Sequence, residues 1–201
     1  MTFRYLWGLL YQPALTWAMI RDTPCSMGAC YARHVLILPL IPAISAYFGM
    51  TQIGWKMGFI QNSVFLTPES ALPMAVLSWL AMVAGVFFMA YMLRWMSSTY
   101  AANPNFTQCI LLALYIVSPL MLSGFMFIYP MLWINLLLAL PALTYTIYLL
   151  YLGLPIVMQI PEERGFLFSS AILMVGLIVL VAMLAMTALL WGYGLAPNFT
   201  S

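Results

Sequence analysis

Charged residues punctuate this chain at wide intervals, and the runs between them are apolar. No Asp, Glu, Lys or Arg lies between Arg33 and Lys56, between Glu69 and Arg94, between Arg94 and Glu162, or after Arg164. A membrane-crossing helix needs about 20 mostly apolar residues. These intervals therefore hold one, one, two and one helix, in that order. The pattern predicts spans near 35–55, 72–95, 107–128, 131–152 and 166–191. Span two has a legible start: Thr67 can cap, Pro68 fits the first turn, and Glu69 faces the positive helix end. Span three begins after Asn103-Pro104-Asn105. Tyr129-Pro130 is a minimal turn, so spans three and four form a tight hairpin. A loop over 153–165 precedes span five.

Ahead of the spans, residues 3–20 read as an amphipathic helix broken at Pro13. Arg4, Gly8, Gln12 and Thr16 recur every four residues as a weakly polar stripe. Phe3, Leu6, Trp7, Leu10, Ala14 and Trp17 fill the other side, which suits a helix in the headgroup plane. A first transmembrane span is the other reading, disfavoured by the short, interrupted run. A signal peptide is disfavoured too, because Gln12 and Pro13 break the apolar stretch and no small-residue cleavage site follows it directly. Residues 1–33 are expected to form a cytoplasmic interfacial segment within one membrane domain covering 1–201.

Composition agrees. Hydrophobic residues make up 66% of the chain and charged ones only 5%, against about 25% charged in soluble domains. Such a surface needs lipid as its solvent. The fold class is all-α: a polytopic bundle of five transmembrane helices with an N-terminal interfacial helix. No stretch outside the spans could bury a core of its own. The formal net charge of +2 implies no nucleic-acid partner, and three cysteines argue against a disulfide framework. Placing the N-terminus inside puts Arg4, Arg21, Arg33, Arg94 and Arg164 in the cytoplasm and only Lys56 outside, as the positive-inside rule prefers. Trp55, Trp95, Trp133 and Trp191 fall near span ends, where amphipathic rings meet headgroups. Small residues four apart (Ser45 and Gly49, Ala81 and Gly85, Ala188 and Gly192) permit close helix approach, within one chain or between chains. Pro119 and Pro141 should kink their helices, and Ser118, Ser123 or Thr144 could satisfy the carbonyls they free.

Several segments carry a resemblance. Thr51-Gln52-Ile53-Gly54-Trp55 closes span one, and Tyr148-Leu149-Leu150-Tyr151-Leu152-Gly153-Leu154-Pro155 closes span four. Glu162-Glu163-x-Gly165 follows, Leu190-Trp191-Gly192-Tyr193-Gly194 ends span five, and Pro13-x-x-x-Trp17-x-x-Ile20 opens the chain. In this order and spacing they resemble the Yip family of five-span membrane proteins, in particular its bacterial inner-membrane branch. The resemblance covers nearly the whole chain. It implies five spans, a cytosolic N-terminus, a periplasmic C-terminus and no enzymatic activity. Eukaryotic members associate with small GTPases and with one another in vesicle traffic. This chain lacks their long N-terminal region, so that role is not carried over, and no functional residues transfer.

Candidate chemistry is sparse. Cys25, Met27, Cys30 and His34 are soft ligands close together, and thiolate with thioether suits copper(I). Their spacing matches no established zinc or copper pattern, so no metal and no cofactor is expected. His34, beside Arg33, reads as a helix-end anchor and Cys109 as packing. Glu162, Glu163 and Arg164 form the one dense charge cluster. Catalysis there would need a third group, so helix initiation and contact with a partner or headgroup are expected instead. Trp7, Trp17, Arg21 and Arg33 join them as candidate partner or lipid contacts. Asn135, Thr144 and Tyr145 are the candidate intramembrane polar groups. No ionisable side chain falls inside a span core, which disfavours ion-coupled transport. The reading is a non-enzymatic scaffold or accessory subunit, with membrane lipids, other membrane proteins or further copies of itself as partners. The alternative is a channel or carrier for neutral or lipid-like solutes, which a continuous polar cavity through Asn135, Thr144 and Tyr145 would favour.

Overall fold

The five apolar runs fold as five helical spans. The computed structural model describes residues 2–22, 32–55, 64–193 and 199–200. The spans cover His34–Ile53, Pro68–Tyr100, Phe106–Ile128, Leu132–Met158 and Glu162–Leu189. Ahead of them stand α1 (Thr2–Tyr11) and α2 (Pro13–Asp22). The first span combines α3 (Ala32–Ile37), α4 (Leu40–Phe48) and a π turn, Gly49–Ile53. The second is α5 (Pro68–Ser97), and the third is α6 (Phe106–Ser123), each drawn out by a 3₁₀ turn. The fourth and fifth are α7 (Leu132–Met158) and α8 (Glu162–Gly192). An antiparallel pair of two-residue strands, β1 (Phe65–Leu66) and β2 (Phe199–Thr200), ties the end of the chain to the segment before α5. The class is that of an all-α membrane bundle.

The third span holds the centre. Its apolar stretch is 56% buried, whereas that of the fifth is only 6% buried. Helix α6 packs between α5 and α7, with Leu112, Leu114 and Tyr115 enclosed. Helix α8 leans on α7, where the Ser169 hydroxyl donates to the Leu150 carbonyl at 3.4 Å, and Phe168 stacks on Tyr100 at 4.6 Å, while no residue from 173 to 189 is buried. In water such a helix would not stand. In hydrocarbon its apolar surface carries no hydration penalty.

Close helix approach is concentrated at glycines. A Cβ at Gly49 would lie 2.1 Å from the Phe127 carbonyl oxygen, and one at Gly124 would lie 2.5 Å from Pro42 Cβ. The first and third spans thus meet backbone to backbone, and the Ser45/Gly49 pair serves contact within the chain. Gly85 and Gly192, in contrast, have nothing within 4 Å of the position a Cβ would take.

Prolines inside the helices remove donors, and side chains replace them. Pro119 cannot donate to the Tyr115 carbonyl, which instead accepts a 2.7 Å bond from the Ser118 hydroxyl. Ser123 and Thr144 donate to Leu120 and Leu140, neither of which is the carbonyl a proline frees. Thr67 adopts the extended cap conformation ahead of Pro68, but its hydroxyl bonds Ser70 Oγ at 3.0 Å instead of a backbone N–H.

The loop expected over 153–165 is shorter. Helix α7 runs through Gly153 and Pro155 to Met158, and α8 starts at Glu162. The terminator is Gln159, with a left-handed φ of 54°. Gly165 makes this possible, because a Cβ there would lie 2.7 Å from Pro155 Cβ. Without that side chain the two helices reach their turn in contact.

Candidate functional site

The N-terminal helices are seated in the bundle. They pack against α7 and α6, and they fold toward each other about Gln12-Pro13. Helical bonding continues across the bend, from Gln12 N–H to Gly8 O at 2.8 Å and from Thr16 N–H to Gln12 O at 3.0 Å. The arms are nonetheless sharply inclined: a Cβ at Gly8 would lie 2.6 Å from Thr16 Oγ1. In a straight helix these residues would be two turns apart. The result is a helical V, bent at the break expected at Pro13 and packed against the bundle.

Three contacts fix the V. Trp17 is fully buried, with its indole against Gly153, where a Cβ would lie 2.4 Å from Trp17 Cε2. Tyr115 receives both arms edge-on, its ring 6.2 Å from that of Tyr5 and 6.5 Å from that of Trp17. At the bend, the Tyr145 hydroxyl donates to the Leu9 carbonyl at 2.7 Å. Leu9 is the residue whose helical donor would have come from position 13, where proline has none. Tyr145 stands halfway along α7 and Gly153 nearer its end, so α2 descends beside the second half of that helix.

This geometry corrects two expectations. Trp17, a candidate lipid or partner contact, is core. The polar stripe is not one outward face, since Thr16 is buried and Gly8 half-buried while Gln12 stays exposed at the bend, and Trp7 on the apolar side is 60% exposed. The surrounding solvent fits both: in lipid, apolar side chains are exposed without a hydration penalty, and Thr16 turns inward, where its hydroxyl donates to the Gln12 carbonyl at 2.8 Å.

The remaining candidates scatter. Arg21 makes a two-pronged ion pair with Asp22, at 2.7 and 2.9 Å. That hydrogen bonding holds the Asp22 carboxyl below its ordinary value and raises Arg21. Glu162, Glu163 and Arg164 form the exposed first turn of α8, with the carboxylates at its positive end. His34 lies in α3 and is half-buried. Cys25, Met27 and Cys30 lie outside the described residues, as does the side chain of Arg33. Thr144 and Tyr145 line a shallow groove of about 770 Å³ with Leu10, Pro13, Pro141 and Tyr148. Asn135 is not part of it. Its amide donates instead to the Tyr129 carbonyl at 3.1 Å, closing the turn between α6 and α7.

A second cavity, of about 390 Å³, lies inside the V and is lined by Tyr5, Trp7, Gly8, Tyr11, Gln12, Thr16 and Met19. No spacing rule pointed to it, because it depends on the angle at Pro13. The signal available in the sequence was Gly8, two turns before Thr16. Equally, Gly153 gave no sign of being the seat of Trp17 until both were placed.

Five apolar spans, the third buried at the centre, define a polytopic α-helical membrane protein. The chain belongs to the Yip family: the Yip1 domain model matches residues 7–183. It is 39% identical over 193 residues to the inner membrane protein YohC of Escherichia coli K12, covering 94% of this chain and 97% of that protein. The YohC of Escherichia coli O6:H1 matches to the same extent. No solved structure matches the chain. The segments that carried the resemblance meet in space, Trp17 against Gly153 and Pro155 against Gly165.

Proposed function

We propose that this inner-membrane Yip-family chain is a non-enzymatic organiser that docks the membrane-spanning helices of other proteins on its outer faces. The observation that carries the reading is the contrast among its glycines. Gly49, Gly124 and Gly153 are each filled by a neighbour of the same chain, whereas Gly85 on α5 and Gly192 on α8 are open. Each open glycine follows an alanine by four residues, Ala81 and Ala188. Small residues so spaced let a second helix approach closely in lipid, where packing drives association. The unsupported outer half of α8 adds an apolar rod with room around it. The basic residues favour a cytoplasmic N-terminus and a periplasmic C-terminus.

Transport of neutral solutes has less support. Thr144 and Tyr145 share a groove, but Asn135 is engaged at the far turn and Thr144 bonds its own helix. The test is purification of the natively expressed protein in gentle detergent, with identification of what remains bound. A stoichiometric membrane protein, lost in a Gly85→Leu, Ala188→Leu variant that still inserts, supports the reading. A lone chain carrying only lipid in both forms overturns it.

A further inference from the structure

The two arms of the N-terminal V enter and leave the bundle by one end. Tyr5 and Trp17 stand on opposite sides of the bend, yet both rings meet the ring of Tyr115, at 6.2 and 6.5 Å. The arms therefore run back side by side. At the bend, Leu10 and Pro13 lie beside Pro141, Thr144 and Tyr145, the middle of α7. Trp17 lies against Gly153, nearer the end where α7 turns into α8. Each arm has ten residues, which at about 1.5 Å apiece gives about 15 Å, half of a hydrocarbon core of about 30 Å.

Charge and hydrogen bonding agree with that depth. Along the segment the charged residues are Arg4, Arg21 and Asp22, near the open ends of the arms, and none occurs from 5 to 20. The Arg21–Asp22 ion pair sits in the last turn of α2. At the bend, side chains meet the backbone acceptors: the Tyr145 hydroxyl donates to Leu9 and the Thr16 hydroxyl to Gln12. Backbone placed in hydrocarbon requires such partners. The exposed side of the V carries Trp7, Leu10, Tyr11, Leu15 and Met19, with Gln12 the one carboxamide among them.

We propose that the V is a wedge for one leaflet, and that it makes the chain favour bilayers curved with that leaflet on the convex side. Among the described residues, the half of the bilayer at the open ends of the V holds the five spans and both arms. The other half holds the spans alone. A helix with its side chains is about 10–12 Å across. Two extra helices make the protein broader in that half, and a convex leaflet has room for them; helices inserted from one side are curvature-sensitive for this reason. The basic residues assign that side to the cytoplasm, so the favoured partner is a lipid surface that bulges toward the cytoplasm. The inference does not rest on helix docking, and either can fail alone.

The test uses the full chain with Cys25→Ser and Cys30→Ser, the enclosed Cys109 kept, and one added thiol at Tyr11→Cys or Asp22→Cys. Both added positions are exposed, so neither change touches the core. In native membranes, a membrane-impermeant maleimide should modify Asp22→Cys from one side and Tyr11→Cys from neither. Equal labelling of the two would lay the V in the headgroup plane and overturn the proposal. The Asp22→Cys chain then carries a dye in giant vesicles from which thin tubes are drawn, with an impermeant quencher outside to tell the two orientations apart. Chains with the dye outside should be enriched in the tube over the flat membrane by about threefold or more, and the opposite orientation depleted. Equal partitioning of both orientations would contradict the wedge. A Trp7→Ala, Leu15→Ala, Met19→Ala variant trims only exposed side chains and should lower the enrichment. Enrichment equal to that of the untrimmed chain would assign the effect elsewhere and overturn the proposal too.

Discussion

The Tyr145 hydroxyl donates a 2.7 Å hydrogen bond to the carbonyl of Leu9, the backbone acceptor that Pro13 deprives of its helical partner. A kink in the N-terminal segment and a tyrosine halfway along α7 are therefore one device. The bend frees a carbonyl in an apolar setting, and the docked helix supplies the donor. Trp79 reaches the first span in a related way, its indole N–H donating at 2.9 Å to the Leu36 carbonyl at the end of α3, where the helix breaks before α4. Tyr145, Trp79 and Ser118 thus supply donors to backbone carbonyls where the helices bend or break.

Replacing Tyr145 by Phe removes only that donor. The docking of the V should weaken by about 1 kcal/mol, the usual scale of such bonds in membranes. Hydrogen exchange should speed up over residues 8–16 while α6 is unchanged. Equal protection in both proteins would mean that the bond contributes nothing.

Trp17 and Gly153 should be strongly coupled. A Cβ at Gly153 would lie 2.4 Å from the indole, so Gly153→Ala should destabilise by about 1–3 kcal/mol through overpacking. In a Trp17→Ala background the same change should cost much less, leaving a coupling of about 1–2 kcal/mol in a double-mutant cycle. Unfolding in mixed micelles measures it. Additive effects would contradict the packing described.

Two glycine substitutions should behave oppositely. At Gly49 a methyl group meets the Phe127 carbonyl, a backbone atom that cannot turn away. Gly49→Ala should lower stability by about 2 kcal/mol or more. Gly85 is open, so Gly85→Ala should be neutral or stabilising by up to about 1 kcal/mol, from helix propensity alone.

Ser118 and Pro119 form a local pair. Ser118→Ala should cost about 1 kcal/mol because the Tyr115 carbonyl loses its donor. In a Pro119→Ala background the backbone N–H returns and that cost should vanish. The same micelle unfolding assay reads both.

These pairs show what was legible in the sequence. The spans were, because hydrocarbon imposes length and polarity on every helix that crosses it, and the gaps between Arg33, Glu69, Arg94 and Glu162 set their number. Span ends were less so: Gly153 and Pro155 look like terminators, yet both serve packing, one under Trp17 and the other against Gly165. The role of Ser118 could be read from its place beside Pro119, since the partner is local. That of Tyr145 could not, because its acceptor lies 136 residues away in sequence. The V was hidden for a related reason. In lipid the exposed side of a helix is apolar, so Gly8 and Thr16 marked the edge where the two arms meet and not a water-facing one.

We propose that the outer faces of α5 and α8 hold the spanning helices of other proteins. It is tested most directly in intact membranes by placing a photoreactive amino acid at Gly85 or Ala188, and at Gly153 as a buried control. The account predicts a discrete adduct with one membrane protein from both outer positions and only intramolecular products from the control. Adducts with lipid alone at Gly85 and Ala188 would contradict it.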